Sequence, residues 1–186
     1  MEQTHFCQPS LAERYCRYPM LDRMDRKILD ILQRDATLPV AEIGKQIGLS
    51  TTPCWRRIQK LEELGVIQRR VAILDPKKVN VGVTVFVSIT TSHHTQDWLD
   101  RFHATLKDFP EVVELYRMSG QVDYLLRVVV PDIEHYDIFY KKLISKIELS
   151  DVSSAFAMEQ IKYTTALPLD YAVAEKREPK RVEGVA

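Results

Sequence analysis

The feature that most constrains the fold is a change in the spacing of apolar residues around Asp75-Pro76. Before this dipeptide, three stretches carry apolar residues at the three-to-four-residue spacing of helices, and after it alternating runs typical of strands appear. Asp-Pro itself interrupts regular structure. The sequence therefore predicts an α+β protein with a helical domain at 21–75, a linker at 76–82 and a mixed domain at 83–169.

The two ends of the chain lack this periodicity. Residues 1–20 contain Pro9 and Pro19 and are predicted to form a disordered arm, with Met20 and Met24 as alternative starts just before the first helix. Residues 170–186 are charged and aperiodic, which predicts a flexible tail.

Composition narrows the class of protein. No apolar run is long enough to span a membrane, and the first residues lack the apolar segment of a signal peptide. Three cysteines without a Cys-x-x-Cys pair favour a reducing compartment, so we expect a cytoplasmic protein. The net charge is zero, but the first 80 residues hold 14 Lys/Arg against 10 Asp/Glu. This excess is either chance scatter or the mark of a half that binds a polyanion.

Three helices are predicted in the first domain. The first begins with Asp22 as N-cap, and Asp25 follows three residues later. The second covers roughly Val40–Ile47 and ends at Gly48, and Ser50 is placed to cap the third. Two helices joined by a tight glycine-containing turn are typical of the helix-turn-helix motif.

The third helix, within "GLSTTPCWRRIQKLEELG", separates into two sides at about 100° per residue. Cys54, Ile58 and Leu61 share the side predicted to pack on the other helices. Arg56 and Gln59 lie opposite, where they can read guanine and adenine in the major groove of double-stranded DNA. The alternative is a solvated basic face with no partner.

Neighbouring residues complete the predicted DNA surface. Thr51 and Thr52, at the helix N-terminus, can hold a phosphate, and Arg57 lies on a flank where it braces the fold or touches a phosphate. Arg69 and Arg70 follow on a predicted strand, "VIQRRVAILD", that would form a wing. The full predicted set is Ser50, Thr51, Thr52, Trp55, Arg56, Arg57, Gln59, Lys60, Arg69 and Arg70.

The second domain reads as strand, helix, strand, strand, helix, strand, the ferredoxin-like βαββαβ order. A strand alternates at Val83, Val85, Val87 and Ile89. The two helical stripes are Leu99, Phe102, Leu106 and Phe109, and Ile133, Tyr136, Tyr140, Leu143 and Ile147. Both helices on one sheet face would leave the other face apolar and open, which predicts a homodimer.

At this point the chain resembles a known family. "LDRMDRKILDILQRD" and "GLSTTPCWRRIQKLEELGVIQRRVAILDPKKV" are similar to the N-terminal domain of Lrp/AsnC transcriptional regulators, and the βαββαβ half is similar to their effector domain. "TSHH" and "SSAFAMEQIKYTTALPL" look most like the YbaO/DecR-type branch, which is associated with cysteine. Two departures are the residues before Leu21 and Pro39, which stands where a small polar cap is common.

The resemblance implies a winged helix-turn-helix regulator that assembles as dimers and as tetramers or octamers, associates with the nucleoid and binds an amino acid near its hairpin turn. Asp123 can pair with an α-ammonium group, and amides near Gly120 can hold an α-carboxylate. The alternative is that Gly120 serves the turn and Asp123 caps it. The predicted effector set is Met118, Ser119, Gly120, Asp123, Tyr124, Thr164 and Thr165.

Other chemistry finds less support in the sequence. His93-His94 with Asp97 has metal-like composition but falls in a predicted loop, and Cys54 lies on a packed helix face, so no metal or cofactor site is predicted. No catalytic constellation is present, which predicts that the chain is not an enzyme. The competing functions are an amino-acid-responsive regulator, an architectural DNA-binding protein without a ligand, and a small metabolic enzyme.

Overall fold

The computed structural model describes residues 19–92 and 95–172. These residues divide into one unit made of residues 19–71 and 163–172, and a second made of residues 72–162. The sequence assigns residues 163–169 to the second domain, so the grouping differs there from the prediction. The predictions for residues 1–18, for His93-His94 and for the tail beyond residue 172 lie outside the described residues.

The first helix, α1 (Arg23–Leu32), starts at the predicted N-cap Asp22, and Asp25 completes a capping box with it. The Asp22 carboxylate accepts hydrogen bonds from the backbone N–H groups of Met24 at 2.7 Å and Asp25 at 2.8 Å. The Asp25 carboxylate accepts one from the Asp22 N–H at 3.1 Å. Because these amides have no partner inside the helix, the two side chains fix where α1 begins.

Helices α2 (Val40–Ile47) and α3 (Thr51–Glu63) form the helix-turn-helix, as predicted. Gly48 ends α2 with a positive φ of 76°. Gly44 allows the tight turn, since a Cβ at this position would lie 2.7 Å from the Leu49 carbonyl oxygen. Ser50 stands at the N-cap position of α3, but its side chain makes no capping hydrogen bond, which corrects the predicted role.

The core of the first unit lies between these three helices. Cys54, Ile58 and Leu61 are buried in it, as the helical projection predicted. Leu169 and Ala172, from the stretch that follows the second unit, also pack against this core. Leu169 is the first residue of a short 3-10 helix (Leu169–Tyr171), and Ala172 directly follows that helix. These contacts place the end of the described chain with the first unit.

The predicted wing strand after Gly65 is wrong for this chain. The described residues 66–82 contain no strand, and the apolar side chains of Val71, Ile73 and Leu74 are exposed. A strand needs a neighbour to accept its backbone hydrogen bonds, and this segment pairs with none of the described strands. Arg69 and Arg70 therefore lie on an irregular segment.

The second unit has the predicted βαββαβ order. Its elements are β1 (Val83–Thr90), α4 (Gln96–Leu106), β2 (Val112–Arg117), β3 (Tyr124–Val130), α5 (Ile133–Lys146) and β4 (Asp151–Phe156). The strands form one antiparallel sheet in the order β2-β3-β1-β4. This is the topology of a ferredoxin-like fold.

Most residues of the two predicted helical stripes are buried between the helices and the sheet, but two predicted positions differ. Ile133 is 69% exposed, whereas Phe139 is only 2% exposed and takes its place in the buried stripe of α5. Ile133 is the first residue of α5. On α4, Trp98 is buried and Leu99 only partly so.

The opposite sheet face is open, but it is mixed in character instead of wholly apolar. Phe86 lies across from Arg127 in the β1–β3 register, and Arg127 pairs with Glu114 on β2 at 2.5 Å. The hydrogen bond from Arg127 lowers the pKa of the Glu114 carboxyl despite the opposing effect of burial. In the described residues, no helix has the length and apolar character needed to cross a membrane.

Candidate nucleic-acid and effector sites

The exposed side of α3 carries side chains that have no partner. Arg56, Gln59 and Lys60 are exposed and make no hydrogen bond or ion pair with any described residue. Thr51 and Thr52 are exposed at the first turn of the same helix, and Trp55 is half-exposed on its flank. Donors without a partner are available to phosphates and base edges, so this surface can bind nucleic acid.

A cleft of about 650 Å³ lies beside this surface within the first unit. One wall is α3 and the other is the start of α1; the lining residues are Met20, Leu21, Asp22, Asp25, Thr52, Pro53, Arg56, Arg57 and Lys60. Arg57 pairs with both carboxylates of the acidic wall, whereas Arg56 and Lys60 have no ion-pair partner among the described residues. The cleft therefore offers positive charge towards the predicted recognition face.

Arg57 has the bracing role that the sequence left open. Its guanidinium donates hydrogen bonds to Asp22 at 2.6 Å and to Asp25 at 2.7 Å. These two bonds raise the pKa of Arg57. Burial acts to raise the pKa of Asp22, but the Asp25 amide and Arg57 outweigh it, and this pKa is lowered. The brace joins the start of α1 to the middle of α3.

The remaining predicted DNA contacts differ in their surroundings. Arg70 forms an ion pair with Glu62 at 2.8 Å, whereas Arg69 is exposed without a described partner. Ser50 is exposed just before α3. The chain thus collects most of the predicted set around α3, but Arg57 and Arg70 are already engaged with carboxylates.

The β2–β3 turn is held to the end of β1 by Asp123. Its Oδ2 accepts a hydrogen bond from the Thr91 N–H at 2.8 Å, and its own N–H donates to the Ile89 carbonyl at 3.0 Å. Gly120 has a φ of 118°, a conformation that side chains disfavour. Both residues thus have the turn-building roles of the alternative reading, while Oδ1 of Asp123 accepts no hydrogen bond from the described residues.

The other predicted effector residues have different surroundings. Met118 and Ser119 are exposed at the turn. Tyr124 is 3% exposed, and its ring lies 4.7 Å from that of Phe102, so its placement is that of a core residue. Thr164 and Thr165 are exposed in the stretch that belongs to the first unit.

Two contacts were missed by the sequence. The pair between Arg57 and Asp25 spans 32 positions and the one between Gln33 and Leu167 spans 134. The sequence placed Asp25 in the first turn of the first helix, but no local pattern predicts a partner so distant in the chain. No sequence pattern marked Gln33, which lies just after α1, as a contact residue.

Comparison with known proteins decides the family. Residues 21–62 match the AsnC-type helix-turn-helix domain, and residues 84–167 match the Lrp/AsnC ligand binding domain. The DNA-binding transcriptional activator DecR of Escherichia coli K12 is 49% identical over 152 residues, which covers 81% of this chain and 100% of DecR. The chain belongs to the Lrp/AsnC family. The predicted family, its DecR-like branch and the function of DNA-binding transcriptional regulator are confirmed.

Solved structures of Lrp/AsnC relatives agree with this fold. An AsnC family regulator from Agrobacterium tumefaciens is 71% identical, with a TM-score of 0.80 over 82% of this chain and 100% of its own. A regulator from Neisseria meningitidis, solved with L-methionine, is 34% identical, with a TM-score of 0.78 over 81% of this chain and 98% of its own. The predicted α+β architecture is confirmed by both.

Proposed function

We propose that this Lrp/AsnC regulator reads specific DNA sequences with α3 and that an amino acid bound by the second unit changes its DNA affinity or assembly. The observation that carries the DNA half is that Arg56, Gln59 and Lys60, on the exposed side of the helix-turn-helix, have no partner in the part of the chain that the structure describes. Arginine can bond guanine through two donors, and glutamine can do the same with adenine. Lys60 and the first turn of α3 are assigned to phosphates.

Arg57 is assigned to the brace and not to DNA, since its guanidinium already serves two carboxylates. Arg69 contributes a flanking phosphate contact from an irregular segment. Trp55, Ser50 and Arg70 are kept as peripheral contacts of the same surface. In a homodimer, two α3 helices would lie about 34 Å apart and read a pseudo-palindromic site.

The test of the DNA assignment is Arg56→Ala measured against a panel of operator variants. Loss of a bidentate base contact is expected to reduce discrimination at one base pair by about 1–3 kcal/mol. Lys60→Ala should instead weaken binding to all sequences. It should also reduce the slope of the logarithm of the binding constant against the logarithm of the salt concentration by about one. Arg101→Ala, which removes an exposed arginine from α4, is the matched control. Unchanged base preference in Arg56→Ala would refute the assignment of α3 as the reader.

The effector half is supported by the ligand-binding domain match and by the relative solved with L-methionine. The Oδ1 of Asp123, beside the Gly120 turn, accepts no hydrogen bond from the described residues and offers a negative charge for an α-ammonium group. We propose an amino acid as the ligand class. Cysteine rests only on the resemblance to the DecR-type branch, and methionine is a second candidate.

A thermal-shift screen of the twenty amino acids tests the effector half. A ligand at a hundred times its dissociation constant stabilises the folded form by about 2.7 kcal/mol. Asp123→Asn is the informative variant, because an amide oxygen can still accept the Thr91 N–H while the charge is lost. We expect this variant to keep its unliganded melting temperature and to lose the shift. Absence of a shift with every amino acid in the wild type would favour the ligand-independent architectural protein.

The open sheet face supports assembly into a homodimer and, through further contacts, a tetramer or octamer. Phe86 is exposed there next to the Arg127–Glu114 pair. An exposed face of this mixed apolar and ionic kind is suited to a second copy of itself. We assign no catalytic activity, in line with relatives that are named as regulators, and we propose association with the nucleoid as a consequence of DNA binding.

A further inference from the structure

The DNA-binding unit is completed by a stretch of chain that lies after the ligand-binding unit. Residues 163–172 belong to the same compact unit as residues 19–71, although 91 residues of the second unit separate the two stretches. The second unit is therefore joined to the first at both of its ends, at residues 71–72 and at residues 162–163. A unit inserted in this way has two covalent routes to its host instead of one.

The returning stretch is held to the C-terminal end of α1 by one side chain. The Gln33 amide donates from Nε2 to the Leu167 carbonyl at 3.1 Å and accepts at Oε1 from the Leu167 N–H at 2.9 Å. Two bonds to the backbone N–H and C=O of one residue fix both the position and the register of the stretch. Leu169 and Ala172 then pack against the helix-turn-helix core.

The same helix makes the brace to α3 at its other end. Asp22 and Asp25 stand at the start of α1, and both accept hydrogen bonds from Arg57 of α3. Helix α1 thus carries the returning stretch at one end and the predicted reading helix at the other. A helix of 10 residues is a stiff rod of about 15 Å, so a shift imposed at Gln33 is passed to Arg57.

We propose that residues 163–172 form a strap that transmits the state of the ligand-binding unit through Gln33, α1 and the Arg57 brace to α3. This inference rests on the proposed effector response, because the signal it carries begins at the bound amino acid. The strap is the covalent continuation of the chain that leaves β4, so a change in the sheet unit is felt at Leu167. Such coupling requires that the contact between Gln33 and Leu167 differs between the liganded and the unliganded protein.

The first measurement is amide hydrogen exchange of the full chain in wild type, Gln33→Ala and Gln160→Ala. Gln160 is an exposed glutamine without a described partner, so its variant controls for loss of a glutamine side chain. In Gln33→Ala the Leu167 amide is expected to exchange about three- to tenfold faster, together with amides of the N-terminal half of α3. Wild-type rates at both places would overturn the strap, and faster exchange at Leu167 alone would overturn its link to α3.

The second measurement is DNA affinity with and without an equimolar mixture of the twenty amino acids. The ratio of the DNA affinity with amino acids to the affinity without them should differ from one in the wild type and move towards one in Gln33→Ala. The affinity of Gln33→Ala without amino acids should stay within about threefold of the wild-type value. An unchanged ratio in Gln33→Ala would overturn the transmission. A wild-type ratio of one would instead refute the proposed effector response, and the strap is then decided by the exchange rates alone.

Discussion

At the level of single residues, three neighbouring cations of α3 differ in what surrounds them. Arg56 and Lys60 have no described partner, while Arg57 donates to two carboxylates, one of which, Asp25, is mostly buried. The chemical type of the side chain is nearly the same in all three cases. The difference in role comes from which side of the helix each residue occupies and what stands opposite.

Arg57→Ala is expected to lower the free energy of unfolding by about 1–2 kcal/mol, because it leaves the carboxylate of Asp25 without its charged donor. Urea denaturation measures the change. Arg34→Ala is the matched control, since it breaks an exposed pair with Asp30 within the same unit and should cost less than about 0.5 kcal/mol. Equal effects of the two substitutions would contradict the brace.

The brace also predicts how stability depends on pH. The pKa of Asp22 is lowered from its ordinary value of 3.8, so the charged carboxylate stabilises the fold above that pH, and the contribution is lost as the pH falls through the lower folded-state pKa. Asp22→Asn keeps a capping side chain but removes the charge. Urea midpoints of wild type and variant should differ at pH 7 and converge as the pH falls below the lowered folded-state pKa of Asp22; a constant difference would argue against the charge as its source.

At the level of elements, α5 shows where periodicity reaches its limit. The sequence predicts a stripe that starts at Ile133, but the buried stripe runs through Tyr136, Phe139, Leu143 and Ile147. Both stripes fit helical spacing. The side of the helix that packs on the sheet determines which stripe is buried. Periodicity within one helix does not specify that side.

Phe139→Ala is expected to cost about 3–5 kcal/mol, the range for removing a buried aromatic ring, whereas Ile133→Ala should change stability by less than about 0.5 kcal/mol. Denaturant unfolding of the two variants gives the comparison. A costly Ile133→Ala would mean that this side chain is covered in the assembled protein.

The segment after α3 makes the same point for strands. "VIQRRVAILD" has the alternation of a strand, yet residues 66–82 form none in the described chain. Alternation describes the two faces that a strand would have, but a strand exists only when a neighbour completes its hydrogen bonds. The helices, in contrast, complete theirs locally, and the predicted Val40–Ile47 agrees with the structure end for end.

At the level of the whole molecule, the open sheet face predicts self-association. Phe86→Lys places a charge beside Arg127 in the middle of that face and is expected to shift the protein towards smaller assemblies in light scattering coupled to size-exclusion chromatography. Ile138→Lys adds the same charge to the exposed side of α5 and is the control. If Ile138→Lys dissociated the protein and Phe86→Lys did not, the interface would lie on the helix layer.

The sequence by itself determined the features that depend on near neighbours: the N-cap at Asp22, the glycine end of α2, the sides of α3 and the order of strands and helices. These follow from hydrogen bonds and spacings a few residues apart. Only the tertiary structure decided that Arg57 braces α1, that Tyr124 is core and that Leu167 returns to Gln33. Each of these joins residues distant in the chain, and such pairs become neighbours only when the packing of whole elements brings them together.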